Sequence, residues 1–249
     1  MQIHFIIHEE FEGPAAFDLW VNKRGYSASY TRVYKGDTFP NQIDNLDLLV
    51  ILGGPQNPNT SISTCHYFDA NAEKEFIKRA IDNNLAVIGV CLGAQLIGEA
   101  LGADYENSPQ QEIGYFKISL TQAGLEDQHL NELPTTLIVG HWHQDMPGLT
   151  SSSQVLASSQ GCPRQIIKYQ ARVYGFQCHL EFTSDSIEAL ILASGLSIED
   201  TENQPYVQSP QQLKEYDYTE MNHYLFLFLN SLILEQKRVK RGINTATRQ

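Results

Sequence analysis

An open, mostly parallel α/β sheet flanked by helices, with a smaller antiparallel or mixed sheet portion, is the fold this 249-residue sequence predicts. Three observations lead there. Strand-length apolar runs alternate with stretches of helical period as far as Gly102. The runs are nearly continuous, as suits strands covered on both faces. Beyond Glu112 the helical spacing gives way to a series of short extended runs.

The first unit is a strand at Gln2 to His8, QIHFIIH, followed by a helix that opens after Pro14 with AAFDLW. Ser27 to Tyr34 is a second extended stretch, and Leu46 to Leu52 is a strand buried on both faces. That strand ends in GGPQNPN. Asp69 to Asn84 then carries Phe76, Ile77, Ala80 and Ile81 at helical spacing, and Leu85 to Val90 returns as a strand, completing a crossover. Cys91 opens the next helix, in which Leu92, Leu96, Ile97, Ala100 and Leu101 line one face before Gly102 closes it. The extended runs IGYFKISL, TTLIVG, QVLASS, QIIKY and VYGFQC form the antiparallel or mixed portion. Helix returns after a cap at Thr183 or Ser184, and again over Tyr218 to Glu235. Ser197 to Gln212, polar and interrupted by Pro205 and Pro210, reads as a surface connection. Residues 1–249 are expected to form a single domain, with 237–249 a polar tail that begins at Lys237, Arg238, Lys240 and Arg241.

The net charge of −12 disfavours contact with a phosphate backbone, so no nucleic-acid partner is expected. No apolar run reaches the roughly 18 residues of a membrane span, and no leader precedes the first strand; a cytoplasmic protein without a membrane partner is the expectation. Cys65, Cys91, Cys162 and Cys178 are too scattered for a metal or redox motif and too few for a disulfide scaffold.

Chemistry concentrates at Gly89-Val90-Cys91-Leu92-Gly93, a glycine-flanked nucleophile between an apolar strand and a helix. Such a turn projects the Cys91 sulfur from the sheet edge and leaves backbone N–H groups free at the helix start. A free thiol with a pKa of about 8.5 is mostly protonated at neutral pH, so this nucleophile needs a base. Among eight histidines, His179 stands out because it ends the run VYGFQC and is followed two residues later by Glu181. Residues i and i+2 of an extended chain share a face, so Glu181 can orient the imidazole toward the thiol. Read alone, a cysteine such as Cys91 is more often a buried small hydrophobe, and the strand-to-helix context reverses that reading. Cys178 should face the other side of its strand and belong to the core. His141, His143 and Asp145 in GHWHQD have metal-ligand character, but HxHxD without further ligands is a weak pattern, and no metal is expected.

GGP after an early strand, GVCLGAQL at the turn and GFQCHLE near the end closely resemble, in this order, class I glutamine amidotransferases. The nearest resemblance is to the amidotransferase domain of GMP synthetase and its stand-alone relatives, over roughly residues 40–185. It implies a flavodoxin-like fold and a catalytic triad of Cys91, His179 and Glu181. It also implies an oxyanion hole from the backbone N–H groups of Gly54 and Leu92, and a substrate-holding role for Gln95. His143 and Asp145 would shape the pocket edge. The implied activity is hydrolysis of glutamine to glutamate and ammonia through a cysteinyl thioester, with no cofactor, the ammonia passing to a separate synthetase partner. No phosphate loop of the GxxxxGK[ST] form accompanies these motifs, so any acceptor chemistry lies elsewhere. Two other readings stay open: a γ-glutamyl peptide hydrolase using the same triad, and a regulatory subunit without turnover.

Overall fold

The computed structural model describes residues 1–201 and 204–246, with side chains described through 242. Its strands are β1 (Gln2–Ile7), β2 (Ser27–Arg32), β3 (Leu48–Ile51), β4 (Ala86–Val90), β5 (Glu106–Leu120), β6 (Thr136–Met146), β7 (Gln154–Ser158), β8 (Ile166–Gln170) and β9 (Val173–Phe176). Its α-helices are α1 (Ala16–Arg24), α2 (Ala70–Asp82), α3 (Leu92–Ala100), α4 (Gln122–Glu126), α5 (Ser184–Ser194), α6 (Pro210–Lys214) and α7 (Thr219–Ala246).

The strands form one open sheet in the order β2-β1-β3-β4-β9-β8-β7-β5-β6. Every pairing from β2 through β9 is parallel, and every pairing from β9 through β6 is antiparallel. This is the mixed architecture the sequence predicts. Strand alternation divides the apolar residues between two cores. Ile3, Phe5, Leu48, Val50 and Ile88 face α1, α5 and α7, whereas Ile6, Leu49, Ile51 and Val87 face α2 and α3. Burying each such side chain stabilises the fold by roughly 1.5–3 kcal/mol.

Local signals fix the helix ends. Asp69 caps α2 by accepting from the Asn71 and Ala72 N–H groups, and Thr183 caps α5 in a reciprocal box with Ser186. The two glycines of the Cys91 turn are required by proximity. A Cβ on Gly93 would strike the backbone of Ile51, and one on Gly89 would strike the backbone of Gly93. Helix α3 therefore sits directly on β3 and β4, and its N-terminus is set by backbone contact.

Two expectations are revised. Of residues 197–212, among which 202 and 203 lie outside the described residues, the part around Val207 is more than a surface connection: Ile113 N–H donates to Tyr206 O and Gln208 N–H to Ile113 O, so it adds to the free edge of β5 and buries Val207. Ser209 and Gln212 then form a capping box on α6. The stretch read as a polar tail from residue 237 is helix as far as Ala246. It is held because Lys240 Nζ meets Asp47 Oδ1 at 2.7 Å and Lys237 lies over the Tyr26 ring. Residues 247–249 of that expected tail lie outside the described residues.

Candidate active site

The carboxyl ends of β1, β3, β4 and β9 converge, and the chain segments leaving them carry His8, Gly53-Gly54, Cys91 and His179. Cys91 occupies the turn into α3 with φ 52° and ψ −110°, a conformation L-residues rarely adopt. Its N–H donates to Phe176 O at 2.7 Å, tying the turn to the end of β9. The side chain is 7% exposed, and its sulfur points at the Trp142 carbonyl 3.7 Å away.

His179 lies beyond β9, which stops at Phe176. The strand expected to reach it is interrupted, and its extended backbone is fixed by pairing with Gly140 of β6, N–H to O in both directions. Phe182 stacks on the imidazole with centroids 4.1 Å apart, and a Cβ on Gly140 would intrude on the Phe182 ring. His179 Nδ1 is 2.6 Å from Glu181 Oε1, and the Glu181 carbonyl accepts from Ala16 N–H at the start of α1. Burial by itself would lower the affinity of this ring for a proton. Glu181, and after it the Cys91 sulfur, outweigh burial and raise the pKa to about 10. Among the described residues His179 Nε2 has no hydrogen-bond partner of good geometry, and the thiol is turned toward Trp142.

Gly53 and Gly54 lie against the same turn. A Cβ on Gly53 would approach Cys91 Cβ at 3.5 Å, and one on Gly54 would meet Leu92 Cδ2 at 3.0 Å. Leu92 is the first residue of α3, so its N–H has no intrahelical acceptor. Beneath the turn, His8 Nδ1 lies 2.9 Å from Gly53 O, and its Nε2 lies 3.0 Å from Glu73 Oε1. Burial opposes protonation of His8, but the Glu73 charge and the Gly53 carbonyl prevail and raise its pKa.

Cys91, Gln95, Gly54, Trp142 and Glu12 border a cavity of about 280 Å³, with His143 and Asp145 along one side. No Lys or Arg lines it among the described residues. Gln95 is buried; its Nε2 donates to Gln177 Oε1 at 3.2 Å, while its Oε1 has no partner. Cys178 is fully buried away from this cavity, as expected. The structure thus brings together all six residues singled out by the sequence: Cys91, His179, Glu181, Gly54, Leu92 and Gln95. Sequence reasoning missed His8, Glu73 and Glu12, for which no local motif gave a signal.

Glu12, on the loop after β1, places its carboxylate over Gly53. Desolvation raises its pKa from 4.5 to about 7, although His179 and His8 pull the other way. A group with a raised folded pKa holds its proton more tightly when folded. Its contribution to stability is therefore fully present below about 4.5 and is lost as pH rises through 7. Glu12→Gln cannot titrate, so its melting temperature should gain on the wild type between pH 5 and 8, by a few degrees. Scanning fluorimetry across that range checks this, and melting curves that stay parallel for the two proteins would show that Glu12 does not titrate there.

Comparison with known proteins agrees with this fold. The family model described as glutamine amidotransferase class-I matches residues 19–198. The glutamine amidotransferase-like protein YfeJ of Salmonella typhimurium is 47% identical over 234 residues, 94% of this chain and 98% of its own. One subunit of the glutamine-hydrolysing GMP synthase of Pyrococcus abyssi is 30% identical over 135 residues, 53% of this chain and 65% of its own. Among solved structures, a glutamine amidotransferase from Thermotoga maritima superposes with a TM-score of 0.82 at 21% identity, covering 94% of this chain and 98% of that one, a likeness of fold. No helix among the described residues is long and apolar enough to cross a membrane. By its fold, its ordered motifs and these relatives, the chain belongs to the class I glutamine amidotransferase family.

Proposed function

We propose that this protein hydrolyses the side-chain amide of glutamine, with Cys91 as nucleophile, His179 as acid and base, and Glu181 as the group that orients the imidazole. The observation that carries this reading is the chain of contacts from Glu181 through His179 to Cys91, with Cys91 and Gly54 bordering the same cavity and Gly54 packed against Leu92.

The Cys91 thiolate attacks the substrate Cδ, forming a C–S bond and moving the carbonyl electron pair onto oxygen, where the Gly54 and Leu92 N–H groups receive it. Collapse breaks the C–N bond, and the imidazolium of His179 gives its proton to departing ammonia. Neutral His179 then takes a proton from water, whose oxygen attacks the thioester. The C–S bond breaks, glutamate leaves, and the proton that His179 took from water restores the thiolate–imidazolium pair. Gln95 Oε1 is available to accept from the substrate. Protein groups suffice for every step as written. The ammonia goes to a separate synthetase partner in this reading, which the multi-subunit organisation of the Pyrococcus abyssi relative supports.

The test is labelling with 6-diazo-5-oxo-norleucine, a glutamine-shaped electrophile, followed by peptide mapping. One adduct on Cys91, slowed by excess glutamine, is expected. Turnover of γ-glutamyl peptides with no labelling and no glutamine hydrolysis would transfer the same triad to a γ-glutamyl substrate. Absence of both activities, alone and with candidate partners, would leave a regulatory role without turnover.

A further inference from the structure

The HxH pattern of β6 acquires in three dimensions the ligand it lacks in sequence. Glu112 of β5 lies opposite His143 in the antiparallel register, and His141 stands two residues away on the same face. All three are buried: Glu112 and His141 are 0% exposed and His143 is 6% exposed. One donor atom from each converges on a common point. His143 Nε2 is 3.3 Å from Glu112 Oε2, His141 Nδ1 is 3.6 Å from the same oxygen, and the two ring nitrogens are 3.5 Å apart.

These spacings are long for hydrogen bonds to a carboxylate. They do match the edges of a coordination tetrahedron. Donors at about 2.0–2.1 Å from a zinc ion lie about 3.3–3.4 Å from one another. Among the described residues the outer nitrogens, His141 Nε2 and His143 Nδ1, have no hydrogen-bond partner of good geometry, so both rings are free to carry their proton outside and turn a lone pair inward. A fourth donor is close. Gln165 Nε2 lies 2.7 Å from Glu112 Oε2 and 3.3 Å from His143 Nε2, while Gln165 Oε1 is buried without a partner. Exchanging the two ends of that amide, which are nearly equal in size and shape, turns an oxygen toward Glu112 and His143, where a small shift would let it serve as a fourth ligand.

We infer that Glu112, His141, His143 and Gln165 form a buried binding site for a first-row divalent metal ion, zinc by its geometry. Two imidazoles and a carboxylate are the donor set such an ion favours. A second cavity of about 430 Å³, bordered by Glu112, Phe116, Ser159 and Tyr206, lies against the Glu112 side of the site. The site bears on the hydrolytic centre without belonging to it. Trp142, whose carbonyl accepts from the Cys91 thiol, lies between the two histidines. An ion gripping both neighbours fixes that carbonyl and the side of the cavity next to it.

The test uses the full chain carrying Cys91→Ser, so that the hydrolytic thiol cannot hold the ion, and compares it with the same chain carrying also Glu112→Gln or His143→Gln. Each is titrated with cobalt(II) and followed by visible absorption, then equilibrated with zinc, dialysed, and assayed for retained metal. About one zinc per chain and the intense bands of four-coordinate cobalt are expected, with retention reduced at least about tenfold in both further variants. X-ray absorption of the zinc-loaded Cys91→Ser protein, which does not depend on either variant folding, should show imidazole and oxygen ligands only. No retained zinc and no cobalt bands in folded protein, unchanged binding in both variants, or a sulfur ligand would each overturn the inference.

Discussion

Cys91→Ala should lower glutamine hydrolysis by about 10⁴–10⁶-fold while leaving a folded protein, because loss of the nucleophile in such a triad removes nearly all that the triad contributes. Ammonia release, measured with and without a candidate acceptor protein, reads the effect directly. Stability should respond in the opposite sense to activity if the residue is glycine. At φ 52° a side chain is held in a conformation that costs of order 1–3 kcal/mol, and glycine adopts it without that strain. Cys91→Gly should therefore melt higher than Cys91→Ala, although both are inactive. Undiminished ammonia release from Cys91→Ala would remove the proposed mechanism. Equal melting temperatures for the two variants would show that the turn stores no strain.

Loss of His8 should have the next largest effect, although it lines no part of the substrate cavity. The Gly53 carbonyl and the Gly54 N–H belong to one planar trans peptide unit and point in opposite directions. By donating to Gly53 O, His8 turns the Gly54 N–H toward the far side, where the proposed oxyanion forms. Glu73 holds the other ring nitrogen and so fixes which way the imidazole lies. Releasing that peptide unit should cost about 10²–10³ in kcat, the magnitude for loss of one oxyanion donor. KM should change far less, because the interaction grows only as charge develops. His8→Ala also leaves Glu73 buried and unpaired, so a lower melting temperature is expected with it. His8→Asn combined with Glu73→Gln avoids that charge and keeps a donor for Gly53 O, and should recover much of kcat. A variant series in which kcat follows melting temperature alone, with no recovery in the double variant, would assign His8 a purely structural role.

What was legible in the sequence was whatever is local. The elbow at Cys91 is a contiguous strand, turn and helix, and its glycines are forced by contacts that a five-residue motif records. His179 and Glu181 are two residues apart, so an extended backbone suffices to bring them together even though β9 stops short of them. What escaped was non-local. His8 and Glu73 are separated by 65 residues, and only the crossover from β1 through β3 to α2 joins them. Glu112 meets His143 through a β5–β6 register that shifts between Asn107 and Glu112, an irregularity that composition does not announce. The basic residues after Glu235 looked solvated because their partners, Asp47 and Tyr26, lie on loops at the opposite end of the sequence.

The absence of lysine and arginine from the described cavity wall has a bearing on product traffic. Glutamine arrives as a zwitterion with no net charge, whereas glutamate departs as an anion. Asp145, and Glu12 when ionised, face that departure with no lysine or arginine to retain it among the described lining residues. The same wall that is indifferent to the incoming amino acid repels the outgoing one, so accumulated glutamate competes poorly for re-entry. On the proposed reaction, the electrostatics of the cavity thus hasten product release and limit product inhibition, while the overall equilibrium is unchanged.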